Sequence, residues 1–316
     1  MKPTLLLCAL LLAACDDDST APTNADLAVA ADLSTSVSDL GVRRTADVPL
    51  MFQPAGLWWD SATNSLYLAN DGGSQIVRWR EDLNAFVVAT NLPQIAPASG
   101  GLGQLIKAKD GTWLVTRFGF GMAGAILHVD QNNETTSVPG LASNRRRVGL
   151  TQASDGTLYT SWFIVVGSAP PSMGTVSRVA LDGSGESDVA NGIGKPAGVL
   201  AMGDQLYISD QENGVILKVP QATSTDGGTT TTTFATVAGA DALAAGPNGT
   251  LFAVSSTGDV WSIDASGTPT SVKSGYKPLR GVAYDPDHQR LFVAEPDKGS
   301  PDGGAGMPML HVLPVQ

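Results

Sequence analysis

Cysteine is nearly absent from this sequence. Of its 316 residues only Cys8 and Cys15 carry thiols, so no disulfide framework is available and the fold must be held by its own core. Cations are also short. Nineteen Lys and Arg stand against 30 Asp and Glu, for a formal net charge of −11. With no basic cluster beyond Arg145-Arg146-Arg147, a nucleic-acid partner is excluded, because phosphate neutralisation dominates that affinity. Beyond the N-terminus no apolar run reaches the roughly 20 residues that a membrane-spanning helix needs. There are three histidines. His128 and His311 fall in third-strand patterns and His288 in a turn, so neither a His dyad nor a Ser-His-Asp set is expected to assemble. A Gly-rich phosphate loop leading into a helix and a zinc-ligand spacing are missing too.

What is present begins with a targeting segment. Met1-Lys2-Pro3 is a short positive start, and Leu5 to Leu12 is an apolar run of signal-peptide length. It ends in Leu12-Ala13-Ala14-Cys15, which resembles the lipobox of bacterial lipoproteins. The resemblance implies cleavage of residues 1–14, a lipid on Cys15, and a place on the extracytoplasmic side of the bacterial cell envelope. Cys8 would leave with the signal peptide, making Cys15 the sole mature thiol. Asp16-Asp17-Asp18 follows, and it does not choose between inner membrane, outer membrane and cell surface. Residues 15–46 are rich in Ser, Thr, Ala and Asp with few large apolar side chains. Such a stretch cannot bury enough surface to offset chain entropy and is expected to be a flexible tether.

The remainder, residues 47–316, repeats itself. Pro54-Ala55-Gly56-Leu57 leads to Leu66-Tyr67-Leu68-Ala69-Asn70 and then Gln75-Ile76-Val77. Pro196-Ala197-Gly198-Val199 leads in the same way to Leu206-Tyr207-Ile208-Ser209-Asp210 and Val215-Ile216-Leu217. Equivalent first-strand residues are Gly56, Gly103, Gly149, Gly198, Ala242 and Gly281, 39 to 49 residues apart. Units of this length with short antiparallel strands predict an all-β chain folded as a six-bladed β-propeller of four-stranded blades. The last unit shows three strands only. Residues 47–52 have no blade of their own, so they are expected to supply its outer strand and close the ring. Residues 229–233, a threonine run, read as spacer within a hairpin loop. Trp58, Trp59, Trp113 and Trp261 fall within strand patterns and read as packing residues.

Pro-x-Gly-aliphatic, then Leu-Tyr-aliphatic-x-Asp, then an apolar third strand, is similar to NHL repeats and to the gluconolactonase-like (senescence-marker-protein) propellers. The resemblance covers residues 54–316. It implies a divalent metal such as Ca²⁺ at one end of the channel, held by carboxylate and Asn side chains in the slot before each strand glycine. Here that slot reads Ala55, Leu102, Val148, Ala197, Asp241 and Arg280. Only Asp241 is a family-like ligand, and an Asp241–Arg280 ion pair between blades is the favoured expectation. No cofactor is expected.

Loops joining second to third strands share a face with loops joining blades. That face gathers Asp71, Arg117, Trp162, Asp210 and Glu295 from the first set, with Phe118 and Phe163 beside them. From the second it gathers Arg147, Lys195, Asp241 and Arg280, with Arg145, Arg146 and Lys277. Cations concentrated on an acidic protein make this the candidate site for a small anionic or sugar-like ligand, or a protein partner. Residues 118–124, 165–173 and 297–306 are long enough to wall it. The expectation is a monomeric, membrane-anchored binding or interaction module with no catalytic residues of its own. The alternative is a lactonase-type hydrolase with an altered metal site.

Overall fold

Short apolar runs separated by Gly and Asn turns fold here as antiparallel hairpins, with a left-handed residue at each tight turn. Between the first two strands of successive blades these are Asn64, Gly111, Gly156, Gly203, Asn248 and Gln289. The computed structural model describes residues 46–94, 101–119, 123–165, 173–221, 231–297 and 306–315. The expected signal peptide, Cys15 and nearly all of the expected tether lie outside these residues.

Strand β1 (Ala46–Pro49) opens the described chain. Blade one comprises β2 (Pro54–Asp60), β3 (Ser65–Asn70), β4 (Gln75–Arg80) and β5 (Ala85–Asn91). Blade two comprises β6 (Leu102–Lys107), β7 (Trp113–Arg117), β8 (Ala125–Val129) and β9 (Thr135–Ser137). Blade three comprises β10 (Arg146–Gln152), β11 (Leu158–Ile164), β12 (Met173–Val179) and β13 (Glu186–Ile193). Blade four comprises β14 (Pro196–Met202), β15 (Gln205–Asp210), β16 (Val215–Pro220) and β17 (Thr232–Thr236). Blade five comprises β18 (Ala240–Ala245), β19 (Leu251–Ser255), β20 (Val260–Ile263) and β21 (Pro269–Lys273). Blade six comprises β22 (Gly281–Asp285), β23 (Arg290–Glu295) and β24 (Met309–Pro314), with β1 as its outer strand.

The result is a six-bladed propeller of four-stranded antiparallel sheets. Each blade packs both faces on neighbours, so alternate residues of one strand serve two different cores. Leu66 and Leu68 of β3 join Phe292 and Leu310 of blade six, whereas Tyr67 and Ala69 join Leu105 and Val115 of blade two. Four further clusters fill the remaining interfaces in the same way.

The ring closes as the sequence predicts, with Asp47 opposite His311 in an antiparallel pair. His311 is buried. Its Nδ1 lies 2.6 Å from Asp47 Oδ1 and its Nε2 3.2 Å from Glu295 Oε2, while the Tyr276 ring stacks on it at 4.2 Å. A second tie joins blades six and one, where Arg290 donates to both Glu81 oxygens at 2.7 and 2.8 Å and to Asp285 at 2.8 Å.

Two sequence expectations need correction. Thr232 and Thr233 belong to β17, paired with Lys218 and Leu217, because exposed β-branched residues suit an outer strand; residues 222–230 lie outside the described set. In blade two the slot before the strand glycine holds Gly103, not Leu102. Pairing of Leu102 with Arg117 and Leu105 with Val115 puts Gln104 at the glycine position. Its side chain turns aside there to donate from Nε2 to Leu57 O at 3.0 Å.

Candidate functional site

The inner strands of blades one to five each carry one extra residue near their start. The register shifts lie between Pro54 and Leu57, Leu102 and Leu105, Arg147 and Leu150, Pro196 and Val199, and Ala240 and Leu243. A bulge at this point turns the backbone toward the axis, so the residue before the glycine borders the channel. The glycine is required by close approach. A Cβ on Gly149 would lie 2.6 Å from Ala197 O and 2.7 Å from Ser161 Oγ. Hydroxyls fasten the same spots across blades. Thr116 Oγ1 donates to Val148 O at 2.7 Å, Ser161 Oγ to Ala197 O at 2.8 Å, and Ser209 Oγ to Asp241 O.

The bulges surround a cavity of about 1070 Å³ lined by inner-strand residues of all six blades. At its mouth stand Phe118, Arg146, Phe163, Lys195, Asp241 and Arg280. Phe118 and Phe163 meet edge-on at 5.6 Å, with Arg146 5.4 Å from the first ring and Lys195 6.0 Å from the second. Across the mouth, Arg280 Nε lies 3.9 Å from Asp241 Oδ2, which is the ion pair the sequence favours.

Gln211 joins the two sides, and sequence reasoning missed it. Its Nε2 donates to Asp241 Oδ2 at 2.6 Å, which fixes the amide so that Oε1 accepts from Lys195 Nζ. The one signal was its place directly after Asp210, at the end of the most regular second strand. Lys195 thus faces a neutral amide where a carboxylate would be usual. Burial, and next the positive charge of Arg280, push its ammonium below the ordinary lysine range against the pull of Asp241 and Glu212.

The remaining candidates are tied into the frame around the mouth, and of these Asp71 and Arg147 still line the cavity. Asp210 Oδ2 and Oδ1 accept from Gly194 N and Lys195 N, both at 3.0 Å, so this carboxylate holds the loop that carries Lys195. Asp71 Oδ1 accepts from Leu102 N at 2.7 Å, and Glu295 Oε2 from Lys277 N at 3.2 Å. These acids anchor the inter-blade loops. Arg117 is buried and donates to Pro93 O at 2.5 Å; burial pushes its guanidinium down, opposed by Asp71. Arg147 is fully buried and paired with both Glu186 oxygens at 2.9 and 2.8 Å. Trp162 donates from Nε1 to Ser177 Oγ at 2.6 Å and carries Arg145 at 3.7 Å from its ring. Lys195, Asp241 and Arg280 therefore converge on the mouth, while the side-chain partners of Arg147 and Trp162 lie within blade three. Of the three expected wall segments, residues 120–122, 166–172 and 298–305 lie outside the described set.

The slot can be tested for the divalent metal that the resemblance implies. It holds Ala55, Gly103, Val148, Ala197, Asp241 and Arg280, and its one carboxylate already accepts from Gln211 beside a guanidinium. Among the described residues no group of three or more His, Cys, Asp or Glu side chains is arranged to hold a metal ion. These residues do not fit a hard cation, which needs several converging oxygens.

No protein-family model matches the chain, and no curated protein matches it. Solved structures do. A luciferin-regenerating enzyme superposes with a TM-score of 0.67 at 13% identity, over 86% of this chain and 96% of that one. A gluconolactonase from Xanthomonas campestris gives 0.65 at 20% identity, over 87% and 91%. Regucalcin from Agrobacterium tumefaciens, a calcium-binding protein, gives 0.63 at 17% identity, over 84% and 92%. At such identities the likeness carries the fold alone: this chain is a six-bladed β-propeller of the gluconolactonase- and regucalcin-like shape.

Proposed function

We propose that this chain is a lipid-anchored extracytoplasmic binding module, monomeric, whose channel mouth takes a small anionic ligand such as a sugar acid. One observation carries the reading: Lys195 is half-buried at the mouth of a large cavity, beside Arg280, with a neutral amide as its hydrogen-bond partner. An arriving carboxylate would supply at Lys195 the direct counter-charge that the Gln211 amide does not. Phe118 and Phe163 offer the apolar surface on which the body of such a ligand rests. The lipobox-like Leu12-Ala13-Ala14-Cys15 and the polar stretch after it support the anchor and tether.

Gluconate is the test ligand. It should raise the melting temperature of the protein, as any ligand of the native state does. Arg280→Ala and Lys195→Met should each weaken its binding by on the order of tenfold or more, the loss of a charge-assisted hydrogen bond. Binding that is absent, or present but insensitive to salt and to both substitutions, sinks the reading. Labelling with a palmitate analogue should mark wild-type protein but not Cys15→Ser; unlabelled wild type refutes the anchor.

A second reading, a lactonase-type hydrolase with an altered site, is supported by the fold likeness to the Xanthomonas campestris gluconolactonase. Turnover of glucono-δ-lactone that Arg280→Ala or Lys195→Met abolishes would favour it over simple binding.

A further inference from the structure

We propose that Lys195 is an amine nucleophile that captures small 2-oxo acids at the channel mouth as an imine. The inference rests on the mouth being an anion site, and it assigns that site a covalent chemistry.

Lys107 also borders the cavity, but its Nζ lies 2.8 Å from Asp60 Oδ2 in a salt bridge. Lys109, Lys273 and Lys277 are exposed, and Lys218 lies over the Phe234 ring on the outer part of blade four. Unlike these five, Lys195 combines partial burial, a cavity wall and a neutral hydrogen-bond acceptor. A lysine in a partly apolar pocket beside another cation is the arrangement that frees the amine as a nucleophile. Both act on Lys195, burial first and Arg280 second, against the pull of Asp241 and Glu212.

Geometry then selects the carbonyl compound. Gln211 is held by Asp241 so that its oxygen fixes one N–H of Lys195, and Asp210 fixes the backbone of the same residue. Arg280 stands at the far end of this chain of contacts, 3.9 Å from Asp241. A carboxylate drawn to Arg280 would bring the carbonyl carbon next to it toward the amine. The nitrogen lone pair attacks that carbon, a C–N bond forms, and the C=O π pair moves to oxygen. Both amine hydrogens end on that oxygen, which leaves as water, and a C=N bond remains. No oxidant or reductant is needed. Asp241 and Glu212 are the carboxylates acting on Lys195.

The experiment treats the full chain with pyruvate and sodium cyanoborohydride, which reduces an imine to a stable secondary amine, and maps the product by peptide mass spectrometry. Lys195 should be modified on the order of tenfold faster than exposed Lys273 and Lys277. Lys195→Arg, which keeps the charge but has no primary amine, should lose the fast site. Gln211→Glu, which puts a carboxylate beside the amine, should slow labelling at Lys195 toward the surface rate. A gluconate melting shift measured on the same wild-type protein separates the two claims. If gluconate stabilises the protein while Lys195, Lys273 and Lys277 react at equal rates, the amine chemistry is overturned and the anion site stands. If neither effect is seen, both are overturned.

Discussion

A half-buried ammonium without a carboxylate against it disfavours its own charged state, and at Lys195 that penalty falls on folding. Its value in the folded chain is depressed, so the native state binds this proton less firmly than the unfolded state. Stability therefore rises with pH through the window between the folded value and the ordinary one of 10.5. Lys195→Met is expected to raise the denaturation midpoint at pH 7, with the gain shrinking as the pH approaches 10.5, while it weakens gluconate binding. A midpoint that falls would show that the ammonium is stabilising where it stands. Glu186 behaves in the opposite sense. Burial raises its value, but the Arg147 hydrogen bonds and charge outweigh burial and hold the carboxyl low. Its contribution is present above the ordinary 4.5 and is lost as the pH falls through the folded value. Glu186→Gln should cost about 3–5 kcal/mol at pH 7 by leaving Arg147 without its counter-charge, and should flatten the acid limb of the stability curve. Arg147 was legible in the sequence as a cation on the mouth face. Its burial was not, because Glu186 lies 39 residues away on the outer strand.

At the scale of the elements, the recurring glycine has a steric reason that spacing alone does not give. The backbones of neighbouring inner strands approach so closely that Gly149 and Gly198 face carbonyls of the next blade within van der Waals distance of any Cβ. Gly149→Ala is expected to cost about 1–3 kcal/mol by overpacking, read as a lower urea midpoint with an unchanged slope. An equal midpoint would mean that the bulge yields freely. Blade two shows the limit of pattern reading. Gly103 looks like the repeat glycine, yet pairing of β6 with β7 places Gln104 there. A one-residue displacement at a bulge leaves the hydrophobic pattern after it intact, so the sequence carries no sign of it. The closing strand is the other element to test. Deletion of residues 47–52 should lower the melting temperature and broaden the transition, since β24 would then present a bare edge and His311 would lose Asp47. An unchanged melt would remove β1 from the cooperative fold.

For the molecule as a whole, the ring is held at one seam by ties between chain segments far apart in sequence. Asp47 meets His311 across 264 residues and Glu81 meets Arg290 across 209. The Arg290 hydrogen bonds hold the Glu81 carboxyl below its ordinary value against the effect of burial. By the same sign argument this seam is expected to weaken as the pH falls below 4.5. Limited proteolysis at pH 4 and pH 7 should then show earlier cleavage near β1 in acid; uniform cleavage at both would place the acid-labile contacts elsewhere.

The sequence by itself determined the number of blades, their strand order and the strand that closes them. Those follow from local periodicity and turn chemistry, which each repeat states again. It also shows a single carboxylate, Asp241, in the slot before the strand glycines, since side-chain types can be read without coordinates, although the blade-two residue there is Gly103 and not Leu102. Tertiary structure alone decided which mouth residues face the cavity. Asp71, Arg117, Asp210 and Glu295 occupy one recurring region at the ends of second strands, and their backbone and loop partners turn them into supports. Lys195, Gln211, Asp241 and Arg280 come from blades three to six and meet through side-chain contacts spanning 16 to 39 positions along the chain. A repeat pattern encodes each blade against its neighbours, but the pairing of individual polar tips across a channel depends on where six separate loops place them.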